Sequence, residues 1–239
     1  MKTILSLIFL AILVYSGWSG YKKGLIMGVF GLLAFVISVY GANLLAQTYS
    51  GEVVDALRPF ASGFVEVNVI DREIRPAMGI EQTSLSTADY FAQNPGRETE
   101  FCTMIYQKMG IFDATSEQMA AEAVSYAREN GVSAADAAVE VLCTRISYVG
   151  AFLLTFLMLL IALTVLGNIP NISFKIPNLD VLNDVGGAVM GVAQGVCLLL
   201  VFGWAMKFTG LLLPQETIAE SFLVPWFMDQ TFLVSYLGI

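Results

Sequence analysis

The chain has 239 residues, of which 56% are hydrophobic and only 13% are charged. Soluble domains carry about 25% charged residues, so this composition excludes an ordinary soluble protein and indicates a membrane protein. The sequence contains no histidine, which excludes Ser–His–Asp and Cys–His catalytic sites and histidine-ligated metals. It also has no P-loop and no dinucleotide-binding glycine motif. We therefore predict a protein that is not an enzyme, with no catalytic, cofactor-binding or metal-binding residues.

The N-terminal part predicts a transmembrane hairpin over residues 1–49. Two uncharged apolar stretches, 3–21 and 24–46, approach the ~20 residues that a helix needs to cross a bilayer. Lys22 and Lys23 lie between them, where a turn is expected. The first stretch could instead be a cleavable signal peptide. Its positive region is a single lysine and no A-x-A pattern follows, so we expect a retained first helix.

An acidic insert follows the first hairpin, over residues 50–145. Residues 50–147 hold fifteen of the twenty acidic and seven of the twelve basic residues, so the whole net charge of −8 falls there. Acidic side chains in such numbers usually form a solvated surface. The charge content of the insert therefore predicts that it is a polar region outside the bilayer.

The insert is predicted to be mostly helical. Thr115 begins a T-x-x-Q capping box, Gly131 ends that helix, and Ser133 caps the next helix, which continues into the third span. Residues 98–109 predict a further short helix. Residues 64–70 alternate enough to permit a strand, although we favour a helix there.

A second transmembrane hairpin is predicted over residues 146–208. Its spans are the uncharged stretches 146–167 and 185–206. The connection, 168–184, mixes asparagine, proline and apolar residues, which is typical of a semi-buried, re-entrant loop.

The C-terminal part, residues 209–239, is apolar but interrupted by Pro225 and Asp229. Its aromatic side chains suit the level of the lipid headgroups, so we expect an interfacial helix. The fold class predicted from these segments is an all-α integral membrane protein. It has four transmembrane helices, a mostly helical polar insert between the second and third, and an interfacial C-terminal helix.

The lysines of the short loops indicate the orientation. Lys22, Lys23 and Lys175 lie in the two loops that would share one side, and short lysine-rich loops tend to stay cytoplasmic. This places both termini and the insert outside, although Lys2 and Lys207 argue for the opposite orientation.

Glycine recurs at four-residue spacing in two of the predicted spans. In lipid, helices associate through close packing that small residues permit, because hiding apolar surface gains little. Glycine is common in membrane helices generally, but three in register in each of two places favour packing. The predicted packing residues are Gly20, Gly24, Gly28, Gly31, Gly187, Gly191 and Gly195.

Two polar residues near the fourth span have two interpretations each. Asp184 directly precedes the predicted span and is expected to cap it, or else to form a polar or ion site with the loop. Gln194 lies deeper, where an interhelical hydrogen bond is favoured over a substrate contact.

Two of the three cysteines, Cys102 and Cys143, lie in the insert. They could form a disulfide if the insert faces the oxidising side of the membrane. The alternative is two free thiols packed against their helices, and spacing alone does not decide between them.

Three blocks resemble the colicin V production protein family in their order and spacing. They are GWSGYKKGLIMGVFGLLAFVISVYGANLLA at 17–46, LNDVGGAVMGVAQGVCLLLVFGW at 182–204 and AESFLVPWF at 219–227. Gln194 departs from the family, since it stands where a basic residue is common. The long acidic insert is the larger departure.

This resemblance implies a multi-pass protein of the bacterial inner membrane, with an accessory role in toxin production or export and in envelope homeostasis. Its implied partners are the lipid bilayer and a second copy or another membrane protein, joined through the glycine faces, with no nucleic acid. The alternative is a small transporter or channel with a pathway near Asp184 and Gln194. Intramembrane ionisable groups usually mark such pathways, and the central half of each predicted span has none, which favours the accessory role.

Overall fold

Long apolar helices dominate the computed structural model, which describes residues 2–80, 87–94, 96–168, 180–208, 218 and 221–228. Three helices are long and apolar enough to cross a bilayer: α1 (Lys2–Phe64), α6 (Ala134–Asn168) and α7 (Asp180–Met206). A helix pairs its own backbone N–H and C=O groups, which is necessary in a bilayer because hydrocarbon offers them no hydrogen-bond partners. Across the described ranges no strand is present, so the prediction of an all-helical fold with long apolar helices is confirmed.

The backbone of α1 is interrupted at Gly24. This residue has φ 79° and ψ 172°, outside the helical region, so α1 consists of a first arm (2–23) and a second arm (25–64). The second arm extends well beyond the predicted span, which ends at residue 46. It continues into a π-helix, Val65–Ile74, and the short α2, Arg75–Ala77. The predicted span is therefore part of a longer helix that continues into the insert, which we predicted to be mostly helical.

The chain forms two compact units. The first unit contains residues 1–47, 150–206 and 215–239, and the second contains residues 48–149 and 207–214. Besides the π-helix and α2, the second unit contains α3 (Thr87–Gln93), α4 (Arg97–Lys108) and α5 (Asp113–Asn130). The first unit also includes the short C-terminal helix α8 (Val224–Met228).

The second unit has its own hydrophobic core. Phe101, Ile105 and Tyr106 of α4 are fully buried against small residues of α5 and α6. The Tyr106 hydroxyl donates a hydrogen bond to the Ala138 carbonyl at 3.0 Å, because a buried hydroxyl needs an acceptor. Four apolar residues of the π-helix, Val65, Val69, Ile70 and Ile74, are buried at spacings that a π-turn brings onto one face.

The helix ends in the insert follow two of the three predicted signals. Gly131 ends α5 in the left-handed conformation, with φ 64°, as predicted. The Ser133 hydroxyl accepts the Asp136 backbone N–H at 3.1 Å and so caps α6, also as predicted. The Thr115 capping box is wrong, since α5 already begins at Asp113 and its N-cap, Phe112, makes no side-chain cap.

The described C-terminal residues are partly buried and partly exposed, since Phe222 and Trp226 have exposed side chains. The interfacial position of this part of the chain stays a prediction. In α8, Val224, Phe227 and Met228 are buried, and the Phe227 ring lies edge-on to Phe9 at 5.6 Å. Trp226 alone among the ring residues of α8 is exposed. The remainder of the predicted interfacial helix, like residues 169–179 of the predicted re-entrant loop, lies outside the described residues.

Candidate functional site

Glycines hold the first arm of α1 directly against α7. A Cβ added to Gly20 would lie under 3.0 Å from backbone atoms of Gly187 and Gly191. A Cβ on Gly191 would meet the Ser16 carbonyl and lie 2.9 Å from the Gly20 Cα. Real side chains never approach backbone so closely, so only glycine allows these two helices to touch through their backbones.

The contact loosens toward the C-terminal half of α7. At Gly195 an added Cβ would be 2.9 Å from the Ser16 side chain rather than from backbone. The next position at the same spacing, Leu199, carries a fully buried side chain. The backbone contact is therefore confined to the first half of α7.

The second arm of α1 packs on α7 in the opposite direction. Along the second arm, Gly28 faces Met190 and Gly31 faces Gln194, so the contacted residues lie farther along α7 as the chain advances. Along the first arm the order is reversed. Ser16 lies against Gly191 and Gly195, whereas Gly20 lies against Gly187 and Gly191, nearer the start of α7. The chain therefore reverses direction at Gly24. We predicted Gly20, Gly24 and Gly28 as one continuous stripe, and this is wrong, because Gly24 breaks the helix between the other two.

Asn183 fixes this turn. The Leu25 backbone N–H, the first after Gly24, donates to the Asn183 side-chain oxygen at 3.1 Å, and Asn183 is buried. A Cβ on Gly24 would collide with the Asn183 amide, and its φ of 79° also favours glycine. Sequence reasoning missed this residue, although LND forms the start of the second family block.

Asp184 does not cap the fourth span. α7 begins at Asp180, five residues earlier than the predicted span, so Asp184 lies inside the helix beyond the unpaired first N–H groups. Its carboxylate accepts the Asn183 amide at 3.4 Å. The acidic residue in the first turn is Asp180.

Gln194 lines a cavity instead of bonding to a neighbouring helix. Its side-chain oxygen lies against Gly31, and within the described ranges its amide makes no hydrogen bond. The predicted interhelical hydrogen bond is therefore absent there. The cavity has a volume of about 180 Å³ and lies within the first unit, beside the glycine contact. Its polar lining residues include Ser16, Ser19, Lys23 and Gln194.

The cysteines of the second unit are buried free thiols. Cys102 donates weakly to the Ala134 carbonyl at 3.6 Å, and burial raises the pKa of its thiol to about 12. Burial likewise raises the pKa of Tyr106. Cys143 is also free and buried. Groups of three or more residues able to hold a metal ion are not found among the described residues.

Long apolar helices packed through glycine define the class of this protein as a helical membrane protein. The family model of the colicin V production protein matches residues 119–231, which confirms the predicted resemblance to that family. The match includes the second and third sequence blocks and begins inside the insert, in α5. No curated protein and no solved structure matches the chain.

Proposed function

We propose that the protein is a multi-pass accessory component of the bacterial inner membrane, of the colicin V production type. In this proposal the two arms of α1, with α6 and α7, cross the bilayer four times, and the second unit forms a polar domain outside it. The reversal of direction at Gly24 supports the count, since one α1 then supplies two crossings. The role would lie in toxin production or export and in envelope homeostasis.

The backbone contact of Gly20 with Gly187 and Gly191 is the observation that carries the accessory role. It brings the backbones of the two helices into direct contact along the first half of α7. No acidic or basic residue lies in the central half of the apolar stretches 3–21, 24–46, 146–167 and 185–206, whereas transport pathways usually contain such groups. Asp184, the acid of the transporter alternative, does not line the cavity beside Gln194.

Assembly with a partner would use surfaces other than the glycine faces. Gly187, Gly191 and Gly195 are buried in contacts within the chain, so these faces are already occupied. The large exposed side chains of α6, among them Leu154, Met158 and Ile161, remain available to lipid, to a second copy or to another membrane protein. We propose a partner at such a surface, in place of assembly through the glycines.

Purified protein in liposomes separates the accessory role from the transporter alternative. We expect ion flux equal to that of empty liposomes. Flux of K⁺, Na⁺, H⁺ or Cl⁻ that falls in the Asp184→Asn variant would replace the accessory role with a transporter.

Complementation tests the positive part of the proposal. The protein, expressed in a colicin V-producing bacterium that lacks its own family member, should restore the amount of secreted toxin. Gly191→Leu should not restore it, and Gly150→Leu, at a position with nothing within 4 Å, should. Equal secretion with and without the protein would reject the role in toxin production.

A further inference from the structure

The cavity beside Gln194 has room for one small polar group. Its volume of about 180 Å³ is well above the roughly 10–15 Å³ that a single water molecule requires. A phosphate-sized group fits in this space, whereas a whole lipid does not. The cavity lies entirely within the first unit, where the glycine contact holds the helices together.

The polar side chains that line this cavity have no partner within the described part of the protein. In membrane helices, serine and threonine hydroxyls usually donate to the carbonyl four residues earlier, as Ser38 does to Ala34 at 2.7 Å. Ser16 and Ser19 make no such bond, and neither does the Gln194 amide, among the described residues. Unpaired polar groups are costly in a bilayer, so these donors are suited to a ligand.

The charge of the lining selects the kind of ligand. Lys23 is the charged residue of the lining, and no carboxylate accompanies it there. Within the described ranges Lys23 has no ion-pair partner. Its neighbour Lys22 differs, because its ammonium lies over the Trp18 ring at 3.8 Å from the centroid. One unpaired cation with hydroxyl and amide donors favours an anion.

The lining changes from polar to apolar along the helices. Lys23 stands beside the Gly24 turn, at the end of the first arm, whereas Phe35, Leu160 and Leu198 line the cavity farther from that turn. We propose that this cavity binds the phosphate headgroup of an anionic membrane lipid. Lys23, Ser16, Ser19 and Gln194 contact the phosphate, and the acyl chain leaves along the apolar end. This site does not depend on the proposed accessory role.

Native mass spectrometry of the full chain in a neutral detergent tests the proposal. The lipids are dioleoyl phosphatidylglycerol and, as the zwitterionic comparison, dioleoyl phosphatidylcholine. We expect one bound phosphatidylglycerol per chain, with phosphatidylcholine bound much more weakly. Lys23→Gln should weaken phosphatidylglycerol binding by about tenfold or more, since it removes a charge-assisted contact. Lys22→Gln is the matched control and should bind as the unmodified protein does.

Four results would overturn the proposal. Equal losses in Lys22→Gln and Lys23→Gln would indicate a non-specific positive surface. Equal binding of the two lipids would show that the headgroup charge is not recognised. Inorganic phosphate that competes with phosphatidylglycerol at equal concentration would show that the site takes a free anion. Gln194→Leu, which leaves both lysines in place, should also weaken phosphatidylglycerol binding, and unchanged binding there would contradict the cavity as the location.

Discussion

At the scale of single residues, the function of the glycines is steric. Sequence spacing predicted which residues of α7 pack, because small residues at four-residue intervals share one face of a helix. Spacing could not reveal that Gly24 leaves the helical conformation, since the same glycine is compatible with a helix or a turn. It also could not identify Asn183, whose role depends on a hydrogen bond to Leu25 across 158 positions.

Alanine at position 191 should destabilise the protein, whereas alanine at position 150 should not. In Gly191→Ala the added Cβ would press on Ser16 and Gly20 backbone, which cannot rotate away, so we expect a loss of about 1–3 kcal/mol or more. Gly150 lies in α6 with nothing within 4 Å of an added Cβ, so Gly150→Ala should change stability by less than ~1 kcal/mol. Unfolding of both variants in mixed detergent measures the difference, and equal stability would reject the close contact.

All three cysteines should react with maleimide in denatured, unreduced protein, since the structure holds them as free thiols. In native protein Cys102 should react slowest as the pH rises from 7 to 9, because burial raises the pKa of its thiol to about 12 and the thiolate is the reactive form. Peptide mapping of labelled protein gives both results. One reactive thiol instead of three would establish the Cys102–Cys143 bridge.

At the scale of elements, local signals predicted two helix boundaries correctly, the end of α5 and the beginning of α6. Gly131 and Ser133 act through contacts within a few residues, so the sequence suffices to recognise them. Thr115 has a capping pattern, but α5 begins two residues before it. The second arm continues through Pro59 to Phe64, and its residue Val54 belongs to the hydrophobic core of the second unit.

Removal of the Ser133 hydroxyl should weaken the start of α6, whereas removal of the Thr115 hydroxyl should have little effect. Ser133→Ala loses the bond to the Asp136 N–H, which costs about 1 kcal/mol. Thr115→Ala changes a residue inside α5 that caps nothing. Hydrogen exchange of the α5 and α6 amides in the full chain measures both variants. Faster exchange at the start of α5 in Thr115→Ala would show that Thr115 caps this helix after all.

At the scale of the whole molecule, the central claim is that α1 reverses at Gly24 and supplies two membrane crossings. Hydropathy predicted the two apolar stretches, and the backbone leaves the helical conformation between them at Gly24. Composition could not predict the extent of the second unit, which contains residues 48–149 and 207–214. Its core includes side chains from the ends of long apolar helices.

Labelling of single cysteines from one side of the membrane tests this claim most directly. Lys2→Cys, Lys22→Cys and Glu52→Cys are made in a background in which the native cysteines are alanine, and intact cells are treated with a membrane-impermeant thiol reagent. The reversal at Gly24 predicts that positions 2 and 52 share one side of the membrane and that position 22 lies on the other. Positions 2 and 52 on opposite sides would show that α1 crosses the bilayer only once, and would contradict the account.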